Sequence, residues 1–258
     1  MGNSRLKNSA LNFASGFLGR VLTILLNFIV RTIFIHCLNE AYLSVNGLYS
    51  NILTVLSLAE LGFGSAMVFR MYAPVAAKDY QKTAALLNFY KKIYAIIGAV
   101  IFGLGLCVIP FMDYIIKDKP DVSGLTLYYI LFLINTTISY WFASYKASVL
   151  YADQKEYIKT NVQNTTTILQ SALQIVLLLI FRKYLLYLLI QLAGNIFLNL
   201  YVAHLVDKRY PEIQTYQGAS LSAEERVQIR KDTEALVLSR FGQVALNGTD
   251  NIIISAVV

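Results

Sequence analysis

Residues 93–112 read IYAIIGAVIFGLGLCVIPFM, a run without a single charged side chain. A helix that crosses the hydrocarbon core of a bilayer needs about 20 predominantly apolar residues. Six more stretches of this kind flank the run, although Arg20, Arg31 and Glu60 interrupt the first two. The predicted spans are 12–38, 41–69, 93–115, 125–149, 161–181, 185–206 and 236–258. The sequence therefore predicts an all-α fold, a polytopic membrane helix bundle.

Composition supports the same class. Apolar residues make up 57% of the 258 residues and charged residues 14%, whereas soluble domains carry about 45–50% and about 25%. A soluble enzyme, a disordered tail and a disulfide-rich secreted module are all disfavoured by this balance. The net charge of +7 is shared by nucleic-acid binders, but those do not need so much apolar sequence. Cys37 and Cys107 have no metal or disulfide spacing, and no cofactor or metal site is predicted.

The positions of lysine and arginine predict the orientation of the chain. Fifteen of them fall in or beside the segments 1–11, 70–92, 150–160 and 207–235, against four in the opposite segments. Cytoplasmic loops of membrane proteins carry the excess of Lys and Arg. We therefore expect a multi-pass protein of a bacterial cytoplasmic membrane with its N-terminus in the cytoplasm.

The longest connection divides the chain. It contains Ser222-Ala-Glu-Glu225, a capping-box pattern that predicts the start of a short polar helix. An even number of spans precedes it, so the seventh span starts from the same side as the first. The residues around Gly242 also faintly repeat those around Gly19. The predicted domains are a six-helix bundle over 1–206, a cytoplasmic linker over 207–235 and the first helix of a truncated second bundle over 236–258.

Polar residues share one helical face on at least five predicted spans. They are Gly16, Arg20, Thr23, Asn27 and Arg31 on the first span; Asn46, Ser50, Ser57, Glu60 and Gly64 on the second; Gln163, Thr167, Gln170 and Gln174 on the fifth; Gln191, Asn195 and Asn199 on the sixth; and Arg240, Gln243, Asn247 and Asp250 on the seventh. An Arg or Asp at a helix centre costs about 2.5–3.5 kcal/mol on insertion scales. Such faces therefore predict a hydrophilic pathway, and the excess of arginine predicts an anionic cargo.

The candidate substrate-binding residues come from these stripes. They are Arg20, Asn27, Arg31, Glu60, Asn195 and Asp250. Each of them also suits a structural role. The Asn and Gln stripes would suit hydrogen bonds between helices, and Arg20 would suit an ion pair with Glu60. The Arg31 side chain could extend along the helix so that its charged group reaches the membrane interface. Asp250 could pair with a residue on a helix outside this chain.

Three segments resemble bacterial polysaccharide flippases of the Wzx type, in the multidrug/oligosaccharidyl-lipid/polysaccharide exporter superfamily. The first runs from Arg5 through Arg20 to Arg31-Thr-Ile-Phe-Ile. The second and most specific is YLSVNGLYSNILTVLSLAELGFGSA at 42–66. The third, GQVALNGTDNIIIS at 242–255, resembles the start of the second half in that family. Since members have 12 or 14 spans, the seven-span chain is expected to be a fragment.

The resemblance implies two six-helix lobes working by alternating access, without enzymatic chemistry. It implies an undecaprenyl-pyrophosphate-linked oligosaccharide as cargo, membrane lipid as surroundings and other polysaccharide assembly proteins as candidate partners, with no nucleic acid. Alternatives within the superfamily are a cation-coupled multidrug exporter, in which acidic cavity residues would be favoured, and a lipid II flippase. A membrane-embedded polysaccharide polymerase or ligase is disfavoured because no nucleophile–base set or metal cluster is visible. A structural membrane scaffold is the residual alternative.

Overall fold

The structure is a computed structural model that describes residues 2–57, 63–112, 122, 124–216, 218–231 and 234. Within these ranges it is helical and contains no β-strand. The helices are α1 (Gly2–Leu38), α2 (Glu40–Leu56), α3 (Phe63–Ala76), α4 (Tyr80–Val108), α5 (Leu125–Trp141), α6 (Ala147–Ala152), α7 (Glu156–Phe181), α8 (Tyr184–Arg209), α9 (Pro211–Gln214) and α10 (223–231). The all-α prediction is confirmed for the part of the chain described.

Four helices are long and apolar enough to cross a membrane, which indicates a multi-pass membrane protein. They are Arg5–Leu38, Tyr80–Phe111, Glu156–Phe181 and Tyr184–Arg209. These helices contain most or all of the predicted spans 12–38, 93–115, 161–181 and 185–206. The predicted seventh span, 236–258, lies outside the described residues.

Two predicted spans are not found as single candidate spans among the described residues. The predicted span 125–149 is divided into Leu125–Trp141 and Ser144–Ala152, which are bent by 47° and together form a candidate fifth span. The predicted span 41–69 contains α2 and the first half of α3, with residues 58–62 between them outside the described part. Neither α2 nor α3 alone is among the candidate spans.

The bend after α5 has a local backbone cause. Phe142 ends the helix with φ −97° and ψ 59°, and Ala143 follows in the left-handed region with φ 58° and ψ 16°. A residue with a Cβ atom rarely adopts this left-handed backbone conformation. No glycine or proline marks the position, so the apolar pattern predicted one continuous span.

Two buried clusters hold the helices together. One lies toward the turns that precede α4 and α7 and includes Met67, Met71, Leu86, Tyr90, Val149, Leu150 and Val206. The other lies toward the α7–α8 turn and includes Phe34, Tyr49, Met112, Tyr129, Leu133, Leu178 and Tyr184. Around Tyr184 the rings pack edge to face, with centroids 4.8 Å from Tyr128 and 5.3 Å from Tyr42. Aromatic pairs at such distances add about 0.5–1.5 kcal/mol beyond their buried area.

The α1 helix packs closely against α7. Asn12 Oδ1 accepts the Tyr157 amide at 2.7 Å, and the Asn164 amide donates to the Ser15 carbonyl at 3.2 Å. At Gly19, a Cβ atom would lie 2.3 Å from Asn164 Oδ1. The absence of a side chain at Gly19 therefore allows the two helices to approach, and this contact fixes which face of α1 is buried.

The four segments predicted to be cytoplasmic meet at one end of the bundle. Asn12, the residue that directly follows the first segment, donates to the Gln154 carbonyl at 3.1 Å and so joins the end of that segment to the third. Tyr210 donates to Asp153 at 2.5 Å, which joins the third to the fourth. Asn88 donates to the Ala219 carbonyl at 2.9 Å, which joins the second to the fourth. The basic segments thus share one end of the bundle, and their placement in the cytoplasm stays a prediction.

The predicted linker folds back onto the bundle. Ile213, Leu221 and Ile229 are buried in the same cluster as α3 and α4, and Glu225 forms an ion pair with Lys82. The predicted capping box is present. Ser222 Oγ accepts the Glu225 amide at 3.2 Å, and Glu225 Oε2 accepts the Ser222 amide at 3.0 Å.

Replacing Ser222 with alanine is expected to loosen α10. An N-cap serine stabilises a helix by about 1 kcal/mol, which is about fivefold in local opening. We expect amide exchange in 223–231 to accelerate by that factor while exchange in α7 stays unchanged. Equal exchange in the wild type and the variant would mean that the capping box does not hold this helix.

Candidate functional site

The arginine stripe of α1, defined by Arg20, Asn27 and Arg31, is the first part of the candidate site. All three side chains are exposed. Arg20 and Arg31 are eleven residues apart, which places their Cα atoms about 16 Å apart along the axis. On the helical wheel the stripe lies beside the buried face that contains Gly19 and Val30.

The remaining surface of α1 is apolar and exposed. Its large side chains are Phe13, Phe17, Leu18, Val21, Ile24, Leu25, Phe28 and Ile29. This composition is typical of a helix face in contact with lipid tails. The helix therefore has three faces: one packed on α7, one apolar, and the arginine stripe between them.

No charge compensates the stripe within the described residues. Over those ranges, Arg20, Asn27 and Arg31 make no hydrogen bond and no ion pair. Unpaired cations inside a membrane face a water-filled cavity or a partner, because hydrocarbon does not solvate them. The stripe is therefore available to bind an anion.

The two predicted acidic site residues fall in other parts of the chain. Glu60 and Asp250 both lie outside the described residues. The proposed pairing of Arg20 with Glu60 stays a prediction for that reason, and so does the role of Asp250.

Asn195 lies at a contact between helices. Its amide nitrogen donates to the carbonyl and side-chain oxygens of Asn135 on α5, at 2.8 and 3.3 Å. Asn199 donates to Asn195 Oδ1 at 2.9 Å. A similar bond joins Gln174 on α7 to the Tyr187 carbonyl on α8 at 3.2 Å. At these positions the Asn and Gln side chains form the hydrogen bonds between helices that were given as their structural alternative. A substrate contact at Asn195 stays a prediction.

Replacing Asn195 with alanine is expected to weaken the packing of α5 on α8. Hydrogen bonds between membrane helices contribute about 0.6 kcal/mol on average and up to about 1.7 kcal/mol. We expect a lower midpoint of thermal unfolding in detergent. Gln163, which is exposed on α7, provides the control, and Gln163→Ala should leave the midpoint unchanged. A midpoint for Asn195→Ala equal to that of the wild type would mean that this network is not structural.

Ion pairs at the basic end fix the ends of several helices. Lys146 contacts Asp207 at 2.5 Å beside a cavity of about 290 Å³ that Lys91 also lines. The Asp153 carboxylate forms an ion pair with Lys155 and accepts a hydrogen bond from the Tyr210 hydroxyl. Burial and the Asp153 carboxylate together raise the pKa of Tyr210 above its ordinary value.

A second cavity was not predicted from the sequence. It has a volume of about 550 Å³ and lies among α3, α4 and the helices on either side of Asp153. Its lining is rich in hydroxyl groups: Ser65, Tyr72, Tyr90, Tyr94, Ser144, Tyr145, Ser148 and Tyr151. We call this space the tyrosine cavity. The only sequence signal was the spacing of Tyr90 and Tyr94, four residues apart on α4.

The described residues hold no group of three His, Cys, Asp or Glu side chains that would bind a metal ion. Cys37 and Cys107 are free thiols. Two features of the described residues remain as candidate binding sites: the arginine stripe and the tyrosine cavity.

No protein-family model matches this chain, and neither does any curated protein or solved structure. The resemblance of 5–35, 42–66 and 242–255 to Wzx-type flippases therefore stays a prediction. A functional assignment depends on that resemblance and on the physical properties of the arginine stripe.

Proposed function

We propose that this chain takes part in moving an undecaprenyl-pyrophosphate-linked oligosaccharide from the inner to the outer leaflet of a bacterial cytoplasmic membrane. The observation that carries the proposal is the arginine stripe. Arg20 and Arg31 are exposed, and within the described residues they have no counter-charge. In a helix whose other exposed face is apolar, two such cations are favourable when they face an anionic cargo.

The chemistry of arginine suits a pyrophosphate. The guanidinium group presents several N–H donors in a planar fork that fits phosphate oxygens in a bidentate manner. Two such groups about 16 Å apart on one helix would hold the pyrophosphate at successive depths. Asn27 lies between them and would donate to phosphate or sugar oxygens during the passage.

The direction of transport is favoured by the membrane potential. Moving an anion outward across a membrane with an inside-negative potential releases about 2.3 kcal/mol per charge per 100 mV. A pyrophosphate diester would therefore be driven outward without a coupling ion. This differs from a cation-coupled multidrug exporter, for which acidic groups would be needed on the stripe. The charged residues described on the stripe are Arg20 and Arg31.

The proposed orientation places the N-terminus and the shared basic end in the cytoplasm. The excess of Lys and Arg there supports this orientation through the positive-inside rule. The apolar exposed face of α1 would contact lipid tails. Loading would then start at the end where Lys91 and Lys146 lie, and release would occur toward the α7–α8 turn.

Deletion of the gene tests the proposed function. We expect the mutant to accumulate lipid-linked oligosaccharide whose sugars remain in the inner leaflet. In spheroplasts, those sugars should be protected from periodate, which does not cross the membrane. The wild-type gene should restore both surface polysaccharide and access to periodate. Accumulated sugars that are accessible from outside would contradict flipping and would favour a polymerase or ligase that acts after it.

A further inference from the structure

The tyrosine cavity combines aromatic rings with hydroxyl groups and has little charge. Tyr72, one of the lining residues, is 44% exposed, and its ring centroid is 6.4 Å from that of Phe69. Glu156 is the one ionisable carboxylate of the lining, and no lysine or arginine belongs to it. Its volume of about 550 Å³ is within the range of about 300–1,000 Å³ typical of small-molecule sites.

The bend after α5 helps to form this lining. Ser144 and Tyr145 follow Ala143 directly, and Ser148 lies on the next turn. Ala143 holds a left-handed conformation with φ 58°, which is unfavourable for a residue with a Cβ atom. A straight helix through this region would direct these residues differently, so the bend contributes directly to the cavity.

Tyr90 is the residue that points to a ligand. Its side chain is 1% exposed and lines the cavity. Its hydroxyl is the one buried side-chain polar atom of the described residues that has no hydrogen-bond partner. By contrast, the buried hydroxyl of Tyr129 donates to the Gly105 carbonyl at 2.9 Å. Buried polar groups nearly always have a partner because an unpaired one destabilises the fold. The Tyr90 hydroxyl is therefore suited to a partner supplied by a bound molecule.

The lining favours one ligand chemistry. Sugars present apolar C–H faces that pack on aromatic rings, and hydroxyl groups that both donate and accept hydrogen bonds. Tyrosine and serine hydroxyls also do both, and tyrosine rings supply the apolar faces. The lining residues include no lysine or arginine to bind an anion, and an acyl chain would leave the Tyr90 hydroxyl without a partner.

We propose that the tyrosine cavity is a binding site for a neutral oligosaccharide, with Tyr90 donating to or accepting from a sugar hydroxyl and Tyr72 packing on a sugar face. The source of the sugar rests on the proposed function: it is the head group of the transported lipid. The cavity is near the basic end, because Tyr151 lies just before the turn at Asp153. The site would therefore hold the sugars while the arginine stripe takes the pyrophosphate.

Direct binding tests this proposal on the purified chain in nanodiscs. The probe is a set of neutral di- to tetrasaccharides prepared by partial acid hydrolysis of the surface polysaccharide of the bacterium that makes this protein. Saturation-transfer NMR should show contact with wild-type protein. Tyr90→Phe should weaken binding about threefold to tenfold, the usual effect of one neutral hydrogen bond. Tyr72→Ala should weaken it at least as much, since it removes an exposed packing surface.

The stability of the variants separates binding from folding. Tyr90→Phe removes an unpaired hydroxyl, so its unfolding midpoint should equal or exceed that of the wild type. Tyr129→Phe is the matched control. It removes a paired hydroxyl at the other end of the bundle, so it should lower the midpoint and leave sugar binding unchanged. Absence of wild-type binding, or unchanged affinity in both Tyr90→Phe and Tyr72→Ala, would overturn the proposal.

The sugar-binding test and the gene-deletion test can fail separately. If the sugars bind as expected but deletion of the gene leaves the lipid-linked sugars accessible from outside, the cavity stands and the flippase proposal fails. If deletion protects the sugars but the probes do not bind, the flippase proposal stands and the cavity proposal fails.

Discussion

Replacing Arg20 or Arg31 with alanine is expected to lower surface polysaccharide by at least about tenfold while the amount of protein in the membrane stays constant. A hydrogen bond to a charged group contributes about 1.5–3 kcal/mol, and each 1.4 kcal/mol is a factor of ten in affinity. Both side chains are exposed, and neither contacts another described residue through a hydrogen bond or ion pair. Their removal therefore leaves no described group unpaired, and the fold should tolerate it.

Two further variants make this result specific. Arg182→Ala removes an exposed arginine between α7 and α8 and should leave polysaccharide output unchanged. Arg20→Lys keeps the charge but loses the planar fork, so it should retain an intermediate output. Wild-type output in both Arg20→Ala and Arg31→Ala would remove the arginine stripe from the transport pathway.

Replacing Gly105 with leucine is expected to destabilise the packing of α4 on α5. A Cβ atom at Gly105 would lie 2.3 Å from Leu133 Cδ1, and Leu133 is fully buried in the cluster with Tyr129. Overpacking of this kind costs about 1–3 kcal/mol and occasionally more. We expect a value near the upper end, because the Gly105 carbonyl also accepts the Tyr129 hydroxyl and the backbone has little freedom to move.

Gly103 provides the control on the same helix. It is exposed, and a Cβ atom there would meet no heavy atom within 4 Å. Gly103→Leu stabilises the helix through its propensity by the same amount as Gly105→Leu, about 0.8–1 kcal/mol, but it creates no clash with Leu133. Size-exclusion profiles after heating in detergent should show loss of folded protein at a lower temperature for Gly105→Leu only. Similar profiles for the two variants would mean that α4 and α5 are not packed closely at Gly105.

Much of the helical structure follows from local sequence. The uncharged run at 93–112 and the apolar stretches in α1, α7 and α8 are long enough to predict helices without tertiary information. The capping box at Ser222 was predictable for a similar reason, since both partners lie within four residues. These features depend on neighbours along the chain, which a sequence pattern records directly.

Features that depend on distant contacts were not predictable. Nothing in the sequence around Ala143 marks a bend, because the left-handed conformation there occurs without a glycine or a proline. The polar residue Asn195 could equally have faced a cavity, and its contact with Asn135 depends on how α5 meets α8. The predicted linker likewise gave no sign that Leu221 and Ile229 would be buried against α4.

The candidate site divides in the same way. Arg20 and Arg31 were identifiable because a charge in an apolar helix is costly wherever the neighbouring helices lie. The tyrosine cavity was missed because tyrosine is common in apolar helices and its residues come from separate elements. Tyr90 differs from the other buried tyrosines only in lacking a hydrogen-bond partner among the described residues, which a sequence cannot show.

Transbilayer movement in sealed liposomes tests the central claim most directly. Purified protein would be reconstituted with a fluorescent oligosaccharide linked through pyrophosphate to an undecaprenyl chain, and a dithionite-type quencher that does not cross the bilayer would be added outside. We expect the protected inner-leaflet signal to be quenched much faster than in protein-free liposomes, and the acceleration to disappear in the Arg20→Ala, Arg31→Ala double variant. Quenching of the inner leaflet at the protein-free rate, or equal acceleration by the double variant, would contradict transport through the arginine stripe.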